Sequence, residues 1–339
     1  MVYTRPQTAM TRRLRALSGI KPTGTPHLGN YFGMIQPAIA LQETHEAYYF
    51  VADYHALTTG RDPAVLRRAS HEITATFLAL GLDPAGAVFF RQSDVPEVLE
   101  LAWQLACVTN MGLLQRAHAY KAALEKGDAN ELPAGTFFYP VLMAADILAY
   151  DSAVVPVGRD QLQHIEMAQD MAGHLNAAYG NVLRRPEALV RAEVPTVPGI
   201  DDRKMSKSYG NTIDIFLPSE KAFLKVAKQI KTDSKGVDEP KDPEGSTLVA
   251  LYRLVATREQ SDDMAARYRA GGYGYGHAKD ALGKALEAHF GPARERYNAL
   301  LARPDELDDV LAEGAKRARA VAREVVGRVR EKVGLRALP

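Results

Sequence analysis

The chain has 339 residues, 46% hydrophobic and 24% charged, proportions that exclude a disordered or collagen-like polymer. Lys and Arg number 42 against 41 Asp and Glu, so the net charge of +1 excludes a globally basic or acidic protein and confines any nucleic-acid contact to a local patch. The single cysteine, Cys107, excludes an internal disulfide and a cysteine-rich zinc site, and no apolar run approaches the ~20 residues a bilayer requires.

Arg5, Arg12, Arg13 and Arg15 precede Leu17, and Gly, Pro and Thr then take over at Gly19–Thr25, where a signal peptide would carry its apolar core. Residues 1–15 therefore read as a basic extension, and a reducing, cytoplasmic setting is expected. Leu14–Ile20 reads as a strand that ends in a Gly/Pro turn, and Asn30–Leu41 as the helix after it. Ala47–Ala52 is apolar throughout, as in a strand buried on both faces of a parallel sheet. A helix over Pro63–Leu80, a strand over Ala87–Arg91 and a helix over Val95–Thr109 follow. This β-α-β-α-β order predicts an open parallel sheet with helices on both faces.

Residues 140–180 read as helix, interrupted at Ser152–Gly158 by a strand over Val154–Val157. From Ser219 the strand signal fades, and Ser219–Lys231, Ser246–Thr257, Asp262–Arg269 and Ala278–Arg303 read as helices. The last helix, Leu307–Val333, carries one apolar stripe through Leu311, Ala315, Ala318, Ala322, Val325, Val329 and Val333. Its other face, with Lys316, Arg317, Arg319, Arg323, Arg328 and Arg330, reads as a solvated charged face, with RNA contact as the competing reading. The expected fold class is α/β: a Rossmann-type parallel-sheet domain over 16–215, a smaller all-helical domain over 216–305, and a C-terminal helix over 306–339 that packs back on the first.

Two loops have the composition of a phosphate site. Ser18–Tyr31 joins the first strand to the first helix, the crevice where open α/β sheets bind ligands. Gly19, Gly24 and Gly29 allow close backbone approach, the following helix start offers unpaired N–H groups, and His27 and Asn30 can donate to phosphate oxygens. It lacks the Gly-Lys-Ser/Thr ending of a Walker loop. The second loop, Arg203-Lys204-Met205-Ser206-Lys207-Ser208, sets mobile point charges and hydroxyls around one methionine.

His27-Leu28-Gly29-Asn30 resembles the His-Ile-Gly-His signature of the class I aminoacyl-tRNA synthetases, with Asn30 in place of the second histidine, and Lys204–Ser208 matches their Lys-Met-Ser-Lys-Ser signature letter for letter. Phe138–Leu148, Val155–Glu166, Gly271-Gly272-Tyr273-Gly274 and Glu313-Gly314-Ala315 look like the tryptophanyl branch, so the resemblance runs from about residue 16 to 335. It implies a tryptophan–tRNA ligase: L-tryptophan is activated with ATP to the adenylate, pyrophosphate is released, and the aminoacyl group passes to tRNA(Trp).

By that resemblance Lys204 and Lys207 are the catalytic cations. Lys21, Pro22, Thr23, His27, Gly29, Asn30, Gly158, Arg159, Asp160, Val194, Met205, Ser206 and Ser208 join them in binding ATP. Tyr139, Met143 and Asp146 share one helix face. Met143 offers a polarizable surface for a flat ring, and Asp146 an acceptor for the indole N–H, which is a donor only. Ser18, Gly19, His55 and Gln161 complete the implied tryptophan site. The tyrosyl enzymes are the nearest competitor, and Met143 stands where they typically have Gln. A nucleotidyltransferase with a similar first motif competes less closely, since it would lack the Lys204–Ser208 loop and the large helical domain. A paralogue that binds Trp or a partner protein but charges tRNA poorly would keep the fold without the activity. Lys21 and Tyr54 depart from the Gln residues common in the family. Mg²⁺ is expected on the ATP phosphates, with no structural metal. A homodimer bound across by tRNA, with the helical domain at the anticodon and dimer contacts near Trp103–His118, is likewise implied, and no membrane partner is expected.

Overall fold

The computed structural model describes residues 13–22, 24–117, 120–121, 124, 133–158, 161–190 and 196–337. Strands β1 (Arg15–Ile20), β2 (Glu46–Val51), β3 (Val88–Arg91), β4 (Val154–Val157) and β5 (Glu187–Val190) form one parallel sheet in the order β3-β2-β1-β4-β5. β1 runs beside β2 from Arg15↔Glu46 to Ile20↔Val51, and β2 beside β3 from Tyr48↔Val88 to Val51↔Arg91. The chain winds outward from β1 to β3 and then returns to β4 on the other side of β1. That reversal opens a crevice at the carboxyl ends of β1 and β4.

The uninterrupted apolar run of β2 is explained by burial on both faces. Tyr48 and Phe50 join one apolar cluster, and Tyr49 and Val51 the other. β5 is absent from the sequence reading. It lies at the sheet edge, and its Glu187 and Val190 are exposed, so it lacks the apolar run that betrays a central strand.

The first helix, α1, covers residues 28–40 as Leu28–Asn30, a wider π segment Tyr31–Ile35, and Gln36–Ala40. The N–H of Gln36 donates to the carbonyl of Tyr31, five residues back, and Pro37, which has no N–H to give, follows at once. The widened turn accommodates a proline that would break a regular helix. Helix α2 (Pro63–Ala79) starts where Asp62 Oδ1 accepts from the N–H groups of Ala64 and Val65, with Pro63 preset for the first turn.

Helices α3 (Glu97–Val108), α4 (Ala134–Leu148) and α5 (Leu162–Tyr179) cover the face carrying Tyr48, Phe50 and Phe90. The opposite face, with Tyr49, Val51 and Phe89, meets α1 and α2. Its core continues into α6 (Glu220–Lys228), α7 (Thr247–Val255), α8 (Arg258–Ala270) and α9 (Tyr275–Leu301) through Phe223, Leu248, Met264, Leu282 and Phe290. The helical segment therefore shares apolar packing with the sheet.

Helix α10 (Pro304–Val333) lies along β3. At Gly314 the two backbones meet, and a methyl there would stand 1.7 Å from the carbonyl oxygen of Phe89. Leu311, Ala315, Ala318, Ala322, Val325 and Val329 are buried, and Val333 is partly so. The reading of its basic face as solvated is corrected for most of its arginines. Arg319 and Arg323 donate to the buried Glu97 at 2.9 Å, Arg328 to Asp151 at 2.8 Å, and Arg330 to Glu100. Arg317 donates to the carbonyls of Pro84 and Ala87. These cations dock the helix onto the sheet domain, and Lys316 stays exposed. Among the described residues no helix is long and apolar enough to cross a membrane.

Candidate active site

The two signature loops, some 175 residues apart in sequence, meet at the carboxyl end of β1. A short antiparallel bridge joins His27 to Asp214, the N–H of Leu28 donates to Ile213 O at 2.9 Å, and that of Ile215 to Pro26 O at 3.1 Å. His27 caps the start of α1. Its Nδ1 accepts from the N–H of Asn30 at 3.3 Å, while Asn30 Oδ1 accepts from the N–H of His27 at 3.2 Å. His27 thus takes up a helix N–H through its ring nitrogen, and Asn30 is turned back onto the cap. A methyl on Gly29 would lie 3.0 Å from the His27 ring, so any larger residue would press on the cap.

Above this platform stands Lys207. A methyl built on Gly24 would be 3.8 Å from its Nζ. Burial and then the Lys207 ammonium push the His27 imidazole down to about 4, so the ring is neutral at physiological pH. Burial pushes the Asp214 carboxyl up, and the same ammonium opposes it. Lys207 is therefore electrostatically coupled to both strands of the bridge.

Lys204, Lys207 and Ser208 are exposed, yet the base of their loop is fixed. Met205 is 4% exposed and joins the apolar core, and its N–H donates to Val197 O at 3.0 Å. Ser206 N–H donates to Asn211 Oδ1 at 2.8 Å, and Asn211 Nδ2 donates to Asp201 Oδ1 at 2.6 Å and Lys204 O at 3.1 Å. The hydroxyls of Ser206 and Ser208 are 2.8 Å apart. Asn211, buried and with three side-chain hydrogen bonds, is a support that the sequence reading missed. The Lys204 side chain makes no hydrogen bond with the first loop among the described residues.

A second constellation lies on the other face of β1. Asp146, on α4, is 2% exposed. Gln92 Nε2 donates to its Oδ1 at 2.7 Å and its Oδ2 at 2.9 Å, and His55 Nε2 lies 2.8 Å from Oδ2. Burial pushes the Asp146 carboxyl above the ordinary range, against the hydrogen bonds from His55 and Gln92. A carboxylate has about four acceptor positions, so one remains, on Oδ1. The expected acceptor is thereby narrowed to a single directed position.

His55 belongs to the short turn Asp53–Ala56 after β2, and Gln92 follows β3 directly. The Tyr139 ring is 6.5 Å from that of His55, and its hydroxyl is 2.7 Å from His164 Nε2. His164 Nδ1 in turn lies 3.0 Å from Gln161 Oε1. Met143, on the same helix as Tyr139, is partly buried against the apolar core. Ser18 and Gly19 lie in β1 opposite Tyr49 and Phe50, and Gly19 packs directly on the Phe50 ring.

Lys21 follows β1 and donates to Thr59 Oγ1 at 2.9 Å, and burial lowers its pKa. Pro22 is buried beside it, and Gly158, exposed, follows β4. Thr23, Arg159, Asp160 and Val194 lie outside the described residues. Gln92 and His164 were not singled out from sequence. A polar residue immediately after a parallel strand is the signal that finds Gln92.

The pattern of the class I tRNA synthetases (W and Y) matches residues 8–291 of the chain. A tryptophan–tRNA ligase of Rhodopirellula baltica is 51% identical over 323 residues, 95% of this chain and 100% of the relative. One of Pseudomonas aeruginosa is 49% identical over 96% of this chain and 74% of the relative. The crystal structure of a tryptophanyl-tRNA synthetase from Campylobacter jejuni, complexed with ADP and tryptophan, superposes with a TM-score of 0.89 at 46% identity, covering 95% of this chain and 100% of that one.

Proposed function

The chain belongs to the class I tryptophanyl-tRNA synthetases, and on that premise we propose how its residues carry out tryptophan–tRNA ligation. It uses ATP to activate tryptophan and transfers it to tRNA. The observation that carries the assignment is the meeting of the Lys207 ammonium with the Gly24–His27 loop, together with a buried carboxylate that has one acceptor position left.

Tryptophan binds with its indole N–H donated to Asp146 Oδ1, its ring against Met143 and Tyr139, and its carboxylate toward Lys21 and Gln161. Ser18, Gly19 and His55 line the rest of that site. The nucleoside of ATP rests against Gly158, Arg159, Asp160 and Val194. Its phosphates lie over Pro22, Thr23, Gly29 and Asn30, with neutral His27 as helix cap. Mg²⁺ arrives with ATP, as part of the substrate.

In the first step a carboxylate oxygen of tryptophan attacks the α-phosphorus, and the bond to the bridging oxygen breaks as pyrophosphate leaves. Lys207 and Lys204, with the hydroxyls of Ser206 and Ser208, neutralise the negative charge that grows on pyrophosphate. This reaction is governed by positioning and electrostatics. In the second step a terminal ribose hydroxyl of tRNA attacks the adenylate carbonyl, and AMP leaves. The loop over 204–208 closes on ATP and withdraws with pyrophosphate.

We assign residues 16–215 to the chemistry and 216–305 to the anticodon of tRNA, with 306–339 as a brace. The enzyme acts in the cytoplasm as a homodimer. Leu99, Trp103, Cys107 and Met111 are exposed at intervals of four, and Trp103 is 69% exposed, an apolar stripe suited to a second copy. His118, at the end of the expected contact region, lies outside the described residues.

ATP–pyrophosphate exchange with Trp or Tyr tests the assignment. Exchange is expected with Trp, and Asp146→Ala should raise the KM for Trp by about a hundredfold. Exchange with Tyr alone would overturn the pocket assignment. A folded protein that binds Trp without exchange would be the non-catalytic paralogue.

A further inference from the structure

We infer that Gln92 is the positioning residue for tryptophan selection: it fixes the orientation of the Asp146 carboxylate, so that one oxygen of it meets a ring N–H. The inference rests on the reading of Asp146 as the indole acceptor. Gln92 is wholly buried at the carboxyl end of β3, 54 residues from Asp146 in sequence. Its amide orientation is determined by its surroundings. The N–H of Tyr54 donates to Oε1 at 3.1 Å, so the amide nitrogen must face Asp146. From there Nε2 bridges both carboxylate oxygens. With His55 on Oδ2, the carboxylate cannot rotate without losing hydrogen bonds that water cannot replace in a buried site.

The consequence is a directed acceptor. A ligand ring that carries a donor at the right place completes the set, and a ring of the same shape without it leaves a buried lone pair unmatched. The same geometry accounts for Tyr54 at a position where the family commonly has Gln. The network uses the backbone N–H of residue 54, which any residue but proline supplies.

The structure also points to a clean variant. In Gln92→Met the Tyr54 N–H keeps Asp53 Oδ1 at 3.0 Å as a partner, so the substitution removes the grip on Asp146 without orphaning the backbone. Gln92→Leu removes the same donor with a shorter apolar side chain and likewise leaves the Tyr54 N–H its Asp53 partner.

ATP–pyrophosphate exchange should be measured with Trp and with 3-benzothienylalanine, in which sulfur replaces the ring N–H. The unaltered enzyme is expected to prefer Trp. In Gln92→Met the KM for Trp should rise about ten- to a hundredfold with kcat within about threefold, while the analogue changes by less than about threefold. The preference then collapses. Gln92→Leu should do the same, and it serves alone if the methionine variant does not fold. Equal losses for both substrates, or an undiminished preference in folded variants, would overturn the inference. No preference in the unaltered enzyme would instead remove the Asp146 reading on which it rests.

Discussion

The two halves of the site are built on opposite plans. Around Asp146 the polar groups are buried or half-buried and engage one another from separate elements: His55 after β2, Gln92 after β3, Tyr139 on α4 and His164 on α5. Around Lys207 the cations proposed to hold the phosphates are exposed, and rigidity lies beneath them, in Met205, Asn211 and the bridge to His27. A pocket that must tell one ring from another gains from fixed, desolvated partners, because an unmatched buried group is costly. A site that must take up and release a polyphosphate gains from mobile charge on a firm base.

The sharpest way to test that division is Lys207→Ala. Removing the cation should lower the exchange rate by on the order of 10²–10³. Thermal stability should hardly change, because an exposed side chain holds little of the fold together. A large fall in stability would mean that Lys207 belongs to the framework, and the division would fail.

Contiguity decides how much of this was legible in sequence. The Ser18–Tyr31 and Lys204–Ser208 loops carry their chemistry in unbroken runs, and central strands such as β2 announce themselves by unbroken apolarity. The pocket is assembled from separated segments, so spacing alone groups only Tyr139, Met143 and Asp146, on one helix face, and the family resemblance is what adds Ser18, Gly19, His55 and Gln161. Gln92 acts through a partner 54 residues away, and no local periodicity marks such a pairing. Asn211 was invisible for the same reason in miniature, since its role is to bond backbone groups of its own loop. The arginines of α10 misled because a charged helix face looks the same whether it meets water or Glu97, Glu100 and Asp151.

Asn211→Ala probes the firm base directly. It leaves the Ser206 N–H without its acceptor and removes one of the donors to Asp201, Arg203 remaining, and it should cost about 1–3 kcal/mol of stability. Exchange should fall about tenfold, chiefly through a raised KM for ATP, because the lysines remain but their frame loosens. Denaturant midpoints and ATP titrations of exchange check both. An unchanged KM for ATP would show that the loop needs no frame.

The coupling between the two loops should also appear in pH dependence. The His27 imidazole falls from 6.5 to about 4 on folding, first by burial and then by Lys207. The unfolded chain therefore binds more protons between those values, and stability rises with pH through that window. The contribution is complete above about 6.5 and is lost as pH falls toward about 4, an effect of about 2–3 kcal/mol. Denaturant midpoints at pH 7 and pH 5 should diverge less in His27→Gln. They should also diverge somewhat less in Lys207→Ala, where the second cause is gone. Equal divergence in all three proteins would place the acid sensitivity elsewhere.

The smallest expected effect concerns the residue that departs most visibly from its family at this site. Tyr54 contributes its N–H to Gln92 Oε1 and Asp53 Oδ1, and its side chain is not used by the network. Tyr54→Gln should therefore leave the KM for Trp within about twofold and stability within about 0.5 kcal/mol. Tyr54→Pro, which deletes that N–H, should behave like a Gln92 variant. The contrast matters because the two substitutions differ mainly in the backbone donor. If glutamine at 54 shifted the KM for Trp as strongly as proline, the fixed geometry of the pocket would depend on the side chain at 54. The buried half of the site would then be less self-contained than its hydrogen bonds imply.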